Sequence, residues 1–220
     1  PQAVDWYTAP GGASLPSGLR DLDHALVIAH EWLDVVPCPV AGVDGDGDLR
    51  LVMVDPVSGQ ESLGALVDGD ELAWAATHWE PTASGDRVEV GLPRDRAWAD
   101  LVSRVDRGVL VAVDYGHRGG DRPRGGTLAA YRRGQLVTPV PDGTCDLTAH
   151  VAMDTLDHDE LLDQRTALRG LGVDGRQPPL ELASRDPQAY LQALATSSAA
   201  AALTAAGGFG DFLWAVKRVG

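Results

Sequence analysis

Two short apolar runs in the sequence each end in side chains that can do chemistry. The runs are His24–Ala29 (HALVIA) and Val109–Val113 (VLVAV). The residues after them that we predict to be catalytic are Glu31, Asp34, Asp114 and Tyr115. A carboxylate held in a fixed position can orient a cationic group, because a guanidinium donates two parallel hydrogen bonds to it. The alternative is that Glu31 and Asp34 only favour the start of a helical turn, where carboxylates are stabilised.

The elements that position these residues follow from the apolar pattern. Both runs are nearly continuous, which is typical of strands covered on both faces of a parallel sheet. The segment Asp95–Asp106, preceded by Pro93, has one apolar stripe and is predicted to be a helix. Helix followed by buried strand is the repeat of an α/β sheet, in which ligands bind beyond the carboxyl ends of the strands. We predict that His24–Ala29 and Val109–Val113 are adjacent parallel strands and that Phe212–Val219 runs antiparallel to its neighbour.

The region between the two runs has a different pattern. Leu49–Val54 (LRLVMV) and Arg87–Gly91 (RVEVG) are flanked by Gly and Asp residues and are typical of antiparallel hairpins. We therefore predict a β-rich insertion over residues 38–92. Further along, Asp186 is expected to cap a helix that begins at Pro187.

The charge of the chain limits its partners. The 220 residues include 18 Lys and Arg against 32 Asp and Glu, a formal net charge of −14. Such a chain lacks the basic surface that nucleic-acid binding requires, so no nucleic-acid partner is expected. The charge is compatible with a cationic protein partner, although a charge that only maintains solubility explains it as well.

Other features point to a cytoplasmic protein without a metal. No apolar run reaches the ~20 residues that a membrane span requires, so no membrane association is expected. Cys38 and Cys145 form neither a disulfide framework nor a metal-ligand spacing, which favours a reducing compartment. The acidic segment Asp44–Asp48 (DGDGD) resembles the start of a calcium loop, but Leu49 stands where that loop needs glycine. We predict a hairpin turn there.

Both strand ends also carry motifs of a known family. Ile28–Pro37 (IAHEWLDVVP) resembles the NE-x-x-D-x-LP segment of the MidA-like (DUF185) family of S-adenosylmethionine-dependent methyltransferases, and Val111–His117 (VAVDYGH) resembles its DYG motif. Asp146–Val151 reproduces the family's DLTAHV motif. Three further segments match in the same order: Gly126–Tyr131, Gln164–Gly172 and Phe209–Phe212. The matches span nearly the whole chain.

The resemblance implies a fold, a cofactor and site residues. The fold class is α/β, namely the C-terminal half of a Rossmann-like class I methyltransferase sheet with a β-hairpin-rich insertion. The cofactor is S-adenosyl-L-methionine, and the implied cofactor-binding residues are Trp6, Ala29, His30 and Glu31. The implied substrate-binding residues are Arg118, Thr127, Asp146, Thr148 and His150. A related mitochondrial enzyme methylates an arginine during assembly of complex I, so the resemblance implies a protein substrate, such as an arginine side chain.

The sequence departs from the family pattern at three places. His30 stands where the family has Asn, and residues 154–164 look short, as though a helix and an edge strand were missing. The glycine-rich cofactor loop and the acidic residue of the family are expected upstream of Pro1, because no G-x-G-x-x-G follows a strand here. We therefore expect residues 1–220 to be the C-terminal part of a methyltransferase domain that is inactive by itself.

Two interpretations of function remain open at this point. In the first, the chain is part of a methyltransferase, and catalysis depends on Glu31 more than on any other residue. In the second, it is a non-catalytic assembly or interaction module that keeps the methyltransferase surface. A homodimer is left open in either case. The arginine-rich segment Gly116–Gly126 is interpreted as a mobile lid over the substrate, with a solvated loop as the alternative.

Overall fold

The computed structural model describes residues 4–81, 83–173 and 175–220. Within them the chain forms both strands and helices. The strands are β1 (Ala25–His30), β2 (Val40–Val43), β3 (Leu49–Val54), β4 (Glu61–Leu66), β5 (Arg87–Glu89), β6 (Gly108–Asp114), β7 (Gly116–His117), β8 (Ala129–Arg132), β9 (Gln135–Val137), β10 (Asp146–Thr148), β11 (Val151–Ala152), β12 (Glu160–Asp163) and β13 (Leu213–Val219). The α-helices are α1 (Gly69–His78), α2 (Leu92–Val102), α3 (Gln164–Gly170), α4 (Leu180–Arg185) and α5 (Pro187–Leu203).

The main sheet contains the strands that end at the predicted site. Its order is β1-β6-β13-β12. Strand β1 pairs in parallel with β6, with Ala25 opposite Gly108 and His30 opposite Val113. Strand β13 is antiparallel to both β6 and β12. The predicted parallel pair and the antiparallel last strand are therefore confirmed, and so is the α/β class.

Helix α2 packs its apolar stripe against this sheet. Ala97, Trp98 and Leu101 are buried, and the indole N–H of Trp98 donates a 2.8 Å hydrogen bond to the carbonyl of Asp157. The helix begins at Leu92, earlier than the predicted Asp95, with Pro93 in its first turn. Proline is tolerated there because the first N–H groups of a helix have no partner within it.

A second, antiparallel sheet follows β1 in the chain. Its order is β4-β3-β2-β5, so the strands predicted near Leu49–Val54 and Arg87–Gly91 are found. The turn at Asp44 is also as predicted, because its carboxylate accepts the backbone N–H groups of Asp46 and Asp48 at 3.0 and 2.9 Å. Helix α1 was not expected, and the treatment of 38–92 as a separate insertion stays a prediction.

The segment before α3 corrects one expectation. The edge strand that looked missing from residues 154–164 is present as β12. Asp163 ends this strand and also caps α3, since its side chain accepts the N–H of Thr166 at 2.8 Å. The described residues 154–163 contain no helix, so the expectation of a missing helix is not corrected. The capped helix α5 begins at Pro187 as predicted, with Asp186 accepting the N–H of Ala189.

Small elements complete the fold. Strands β8, β9 and β10 form a three-stranded sheet, and β7 pairs in parallel with β11. Gly116 in β7 leaves no space for a side chain, because a Cβ there would lie 2.2 Å from the carbonyl oxygen of Val151. Among the described residues, no helix is both long and apolar enough to cross a membrane.

Candidate functional site

Asp114 joins the ends of the two parallel strands. Its side chain is buried, and Oδ2 accepts the backbone N–H groups of Leu33 and Asp34 at 3.1 and 3.2 Å. Burial first, and then the nearby charge of Asp34, raise the pKa of Asp114 to about 7. The loop after β1 is therefore fixed to the carboxyl end of β6 by a carboxylate that titrates near neutral pH.

Asp34 continues this network to Tyr115. Its Oδ2 accepts hydrogen bonds from the hydroxyl of Tyr115 and from that of Thr148, the latter at 2.9 Å. The hydroxyl oxygens of Tyr115 and Thr148 also contact each other, and because each hydroxyl carries one proton, the two protons are shared among the three contacts. Oδ1 of Asp34 is buried, and no hydrogen-bond partner for it is present among the described residues. Burial and the hydrogen bond to Asp34 raise the pKa of Tyr115, so the phenol stays protonated.

A buried arginine also holds the same loop. The guanidinium of Arg94, in α2, donates to the backbone carbonyls of Val36 at 3.2 Å, His150 at 2.7 Å and Asp34 at 2.8 Å. Its positive charge partly offsets the effect of burial on the pKa of Asp114. Arg94 was not predicted from the sequence, because an arginine in an amphipathic helix ordinarily faces solvent.

A buried glutamate organises the predicted substrate-binding segment. The carboxylate of Glu89 accepts the N–H of Thr127 at 2.5 Å, its hydroxyl at 2.6 Å and the N–H of Leu128 at 2.7 Å. The Thr127 hydroxyl in turn accepts the backbone N–H of His150 at 2.8 Å. The side chain of Thr127 is therefore engaged within the protein. Glu89 lies in a short strand that the sequence pattern predicted, but nothing in the sequence identified the hydrogen-bond partners of its carboxylate.

Glu31 lies at the same edge but outside the Asp34 network. Its backbone has φ of 47°, a left-handed conformation that costs a residue other than glycine about 1–3 kcal/mol. The backbone N–H donates to the carbonyl of Val113 at 2.9 Å. The side chain is 45% exposed, and its carboxylate lies 3.7 Å from Nδ1 of His30. Of the four predicted catalytic residues, three share a hydrogen-bond network, and Glu31 presents a carboxylate beside them.

The other predicted site residues have varied environments. Ala29 is buried in the core, whereas Trp6 is 90% exposed. Arg118 is exposed and donates a long bond of 3.4 Å to the carbonyl of Leu161. Asp146 is exposed in β10, opposite Tyr131. Their binding roles stay predictions.

The loop Gly116–Gly126 is anchored by one of its arginines. Arg122 donates to the carbonyl of His78 at 3.0 Å and to Nδ1 of His117 at 2.7 Å, and forms an ion pair with Asp154. Burial first, and then the charge of Arg122, lower the pKa of His117 to about 4. The simple solvated-loop interpretation is therefore wrong for Arg122, whose side chain is 8% exposed.

These features describe an α/β protein with a polar site at the carboxyl ends of two adjacent parallel strands. Among the described residues, no group of three or more His, Cys, Asp or Glu side chains could hold a metal ion. The chain belongs to the Methyltransf_28 family, described as "Putative S-adenosyl-L-methionine-dependent methyltransferase", whose profile matches residues 2–170.

Two solved structures from Burkholderia thailandensis are similar. One is a COG1565 superfamily member bound to S-adenosyl-homocysteine, with TM-score 0.71 and 19% identity over 91% of this chain and 55% of that chain. The other is an uncharacterized COG1565 superfamily protein, with TM-score 0.65 and 21% identity over 93% of this chain and 57% of that chain. At these identities the likeness shows the fold alone, and the chain spans little more than half the length of either structure. A comparison with curated proteins gave no match.

Proposed function

We propose that this chain is the C-terminal part of an S-adenosyl-L-methionine-dependent methyltransferase whose acceptor is a protein side chain, such as arginine. In this proposal, the sheet β1-β6-β13-β12 is the C-terminal half of a Rossmann-like class I methyltransferase sheet. The observation that carries the proposal is the network of Asp34, Asp114 and Tyr115 at the carboxyl ends of β1 and β6, with the carboxylate of Glu31 beside it. Family membership and the similar structure bound to S-adenosyl-homocysteine support it.

The residues of this chain fit the cofactor and acceptor sides of such a site. The half-exposed carboxylate of Glu31 is available at the edge where α/β sheets bind ligands, and it would attract a sulfonium cation or a guanidinium. The cofactor, when bound, supplies a methyl group on a positively charged sulfur. Asp34 and Asp114 do not contact the acceptor in this proposal; they hold the backbone that carries Glu31 and the ring of Tyr115.

Methyl transfer to arginine then depends mainly on orientation. The acceptor nitrogen forms a bond to the methyl carbon as the carbon–sulfur bond breaks, and the proton it loses passes to solvent. Correct placement of two reactants can supply about 7–11 kcal/mol of the barrier. Glu31 comes directly after a strand, and its backbone N–H is hydrogen bonded to the carbonyl of Val113. The backbone of Glu31 is therefore held in place, which helps its carboxylate to orient a guanidinium.

The test is transfer of a radiolabelled methyl group from S-adenosyl-L-methionine to protein. The full-length gene product is incubated with the labelled cofactor and an extract depleted of endogenous methyltransferases, and the labelled protein is hydrolysed. We expect the label in methylarginine. Label in another amino acid would reject the arginine acceptor, and absence of both transfer and calorimetric cofactor binding would reject the methyltransferase.

The second candidate is an interaction module without catalysis. The observation in its favour is an apolar surface on the main sheet, where Leu26 and Ile28 of β1 are 68% and 62% exposed. Such a surface is typical of a contact with further protein. Calorimetry of the full-length gene product with S-adenosyl-L-methionine separates the two candidates, because the interaction module has no need to bind the cofactor.

A further inference from the structure

A cavity lined by aromatic rings opens beside the Asp34 network. Its volume is about 470 Å³. We call it the aromatic cleft and define it by the four rings that line it, those of Tyr115, His150, Phe209 and Phe212. The rings come from three separate segments: the end of β6, the turn before β11, and the turn before β13.

The rings stand at an angle to one another. The ring centroids of Tyr115 and His150 are 5.4 Å apart, at 63°. Those of Tyr115 and Phe212 are 5.6 Å apart, at 75°, and those of Phe209 and Phe212 are 5.7 Å apart, at 59°. The first two pairs are edge-to-face and the third is tilted, and a ring that is met by its neighbour's edge keeps its other face available.

The protein fixes each wall of the cleft by hydrogen bonds. The hydroxyl of Tyr115 is held by Asp34 and Thr148, and the backbone of His150 is held by Thr127 and Arg94. The carbonyl of Phe212 accepts the N–H of Gln164 at 2.7 Å.

The turn before β13 is braced in the same way. The carboxylate of Asp211 accepts the N–H of Gly207 and a guanidinium N–H of Arg165, both at 2.6 Å. A cleft whose walls are fixed in advance loses little conformational entropy when a ligand enters.

Exposure and charge distinguish this cleft from an ordinary core. Phe209 is 53% exposed, so its ring is accessible to a ligand from solvent. The ring of His30 lies 6.1 Å from that of Phe212 and connects the cleft to the carboxylate of Glu31. Burial, and then Arg94, lower the pKa of His150, so this wall is uncharged at neutral pH and does not repel a cation.

From this arrangement we propose that the aromatic cleft binds the planar guanidinium group of the acceptor arginine, with the carboxylate of Glu31 next to the neighbouring ring of His30. The assignment rests on the proposed function and adds to it a site for the acceptor. Ring faces attract cations, and a guanidinium is flat enough to stack on them, whereas a compact ammonium is more strongly hydrated. The net charge of −14 favours the approach of such a cation.

The composition of the chain makes the cleft easy to observe. Its only two phenylalanines are Phe209 and Phe212, so ¹³C-phenylalanine labelling of this chain reports on the cleft alone. The labelled chain is titrated with Nα-acetyl-arginine methylamide and, in parallel, with the uncharged analogue Nα-acetyl-citrulline methylamide. We expect saturable shifts of the phenylalanine resonances with the arginine probe, and binding about fivefold or more weaker with the citrulline probe. Equal responses to both probes, or no response to either, would overturn the proposal.

Variants provide a second readout on Phe209. Phe212→Leu keeps an apolar side chain but removes a ring, and we expect it to weaken the arginine response of Phe209 about fivefold or more. Tyr131→Leu, which removes an exposed ring outside the cleft, is the matched control and is expected to respond as the unaltered chain does. An unchanged response in Phe212→Leu would also overturn the proposal. Should Phe212→Leu not fold, the comparison of the two probes on the unaltered chain decides the question.

The binding experiment on the cleft and the methyl-transfer experiment can succeed or fail independently. Arginine-dependent shifts with neither methyl transfer nor calorimetric cofactor binding would support the cleft and reject the methyltransferase. Methyl transfer to arginine without shifts of Phe209 and Phe212 would reject the cleft and leave the methyltransferase standing.

Discussion

The carboxylate of Asp114 accepts the backbone N–H of Asp34, a residue 80 positions earlier in the chain, over 3.2 Å. This single contact fixes the loop after β1 to the end of β6. The carboxylate of Asp34 then fixes the hydroxyl of Tyr115, so the ring that lines the aromatic cleft is held by two buried acids in succession. The site therefore depends on residues that need not touch any ligand.

The titration of Asp114 is expected to make the free energy of unfolding depend on pH. Its pKa is about 7 in the folded protein and near the ordinary value of 3.8 when unfolded, so between these pH values the folded state binds more protons. The contribution of Asp114 to the free energy of unfolding is therefore fully present below pH 4 and is lost as the pH rises through 7.

The measurement is urea unfolding at pH 5 and at pH 7.5. We expect the unaltered protein to lose more stability than Asp114→Asn over this interval, because the variant has no carboxyl to titrate. The comparison also cancels the opposite contribution of His117, whose lowered pKa makes stability rise with pH below about 6.5 in both proteins. Identical changes in the two proteins would contradict the raised pKa of Asp114.

Arg94 is expected to matter for stability far more than its neighbour Arg96 in the same helix. Arg94→Met leaves three carbonyls without their donor and should reduce the free energy of unfolding by about 3 kcal/mol, as measured by urea denaturation. Arg96→Met removes only an exposed ion pair with Asp70 and should cost less than about 1 kcal/mol. Equal losses would show that the buried hydrogen bonds contribute no more than a surface ion pair.

Glu89 is expected to control the order of the segment that contains Thr127. In Glu89→Gln the amide cannot accept all three hydrogen bonds, so stability should fall by about 1–3 kcal/mol, and trypsin should cleave faster at Arg124. The matched control is Glu61→Gln, which breaks a partly exposed pair with Arg87. A trypsin cleavage rate like that of the control would reject this role for Glu89.

Substitution of Glu31 is expected to reduce methyl transfer while the fold is kept. Glu31→Gln in the full-length gene product should keep the fold and reduce methyl transfer roughly 100-fold, as expected for the loss of one charge-assisted contact worth about 3 kcal/mol. Glu31→Gly should be equally impaired but more stable than Glu31→Ala by about 1 kcal/mol, because glycine adopts positive φ without strain. Steady-state methylation and thermal unfolding provide the two measurements, and Glu181→Gln on the exposed face of α4 is the control. Near-normal turnover of Glu31→Gln would remove Glu31 from the mechanism.

The sequence by itself determined the two central strands and the polar residues directly after them. An almost continuous apolar run is typical of a strand in a parallel sheet, so β1 and β6 were visible, and parallel pairing places the residues after both strands at one edge. The expectation that both strands are covered on both faces is correct for β6 but wrong for β1, where Leu26 and Ile28 are exposed. Asp34, Asp114 and Tyr115 could be grouped for this reason. The family motifs supplied the expected chemistry, since DYG and DLTAHV stand in the right order along the chain.

Only the tertiary structure decided which polar residues face inward and with whom they bond. Arg94 and Glu89 have side chains that ordinarily lie at the surface, and both are buried here because carbonyls and N–H groups from distant loops satisfy them. Those partners lie 56 and 39 positions away in the sequence, so no local pattern could reveal them. The aromatic cleft has the same origin: its rings come from three segments that are brought together by the packing of β6, β11 and β13, because side chains meet where strands and turns place them and not where they stand in the chain.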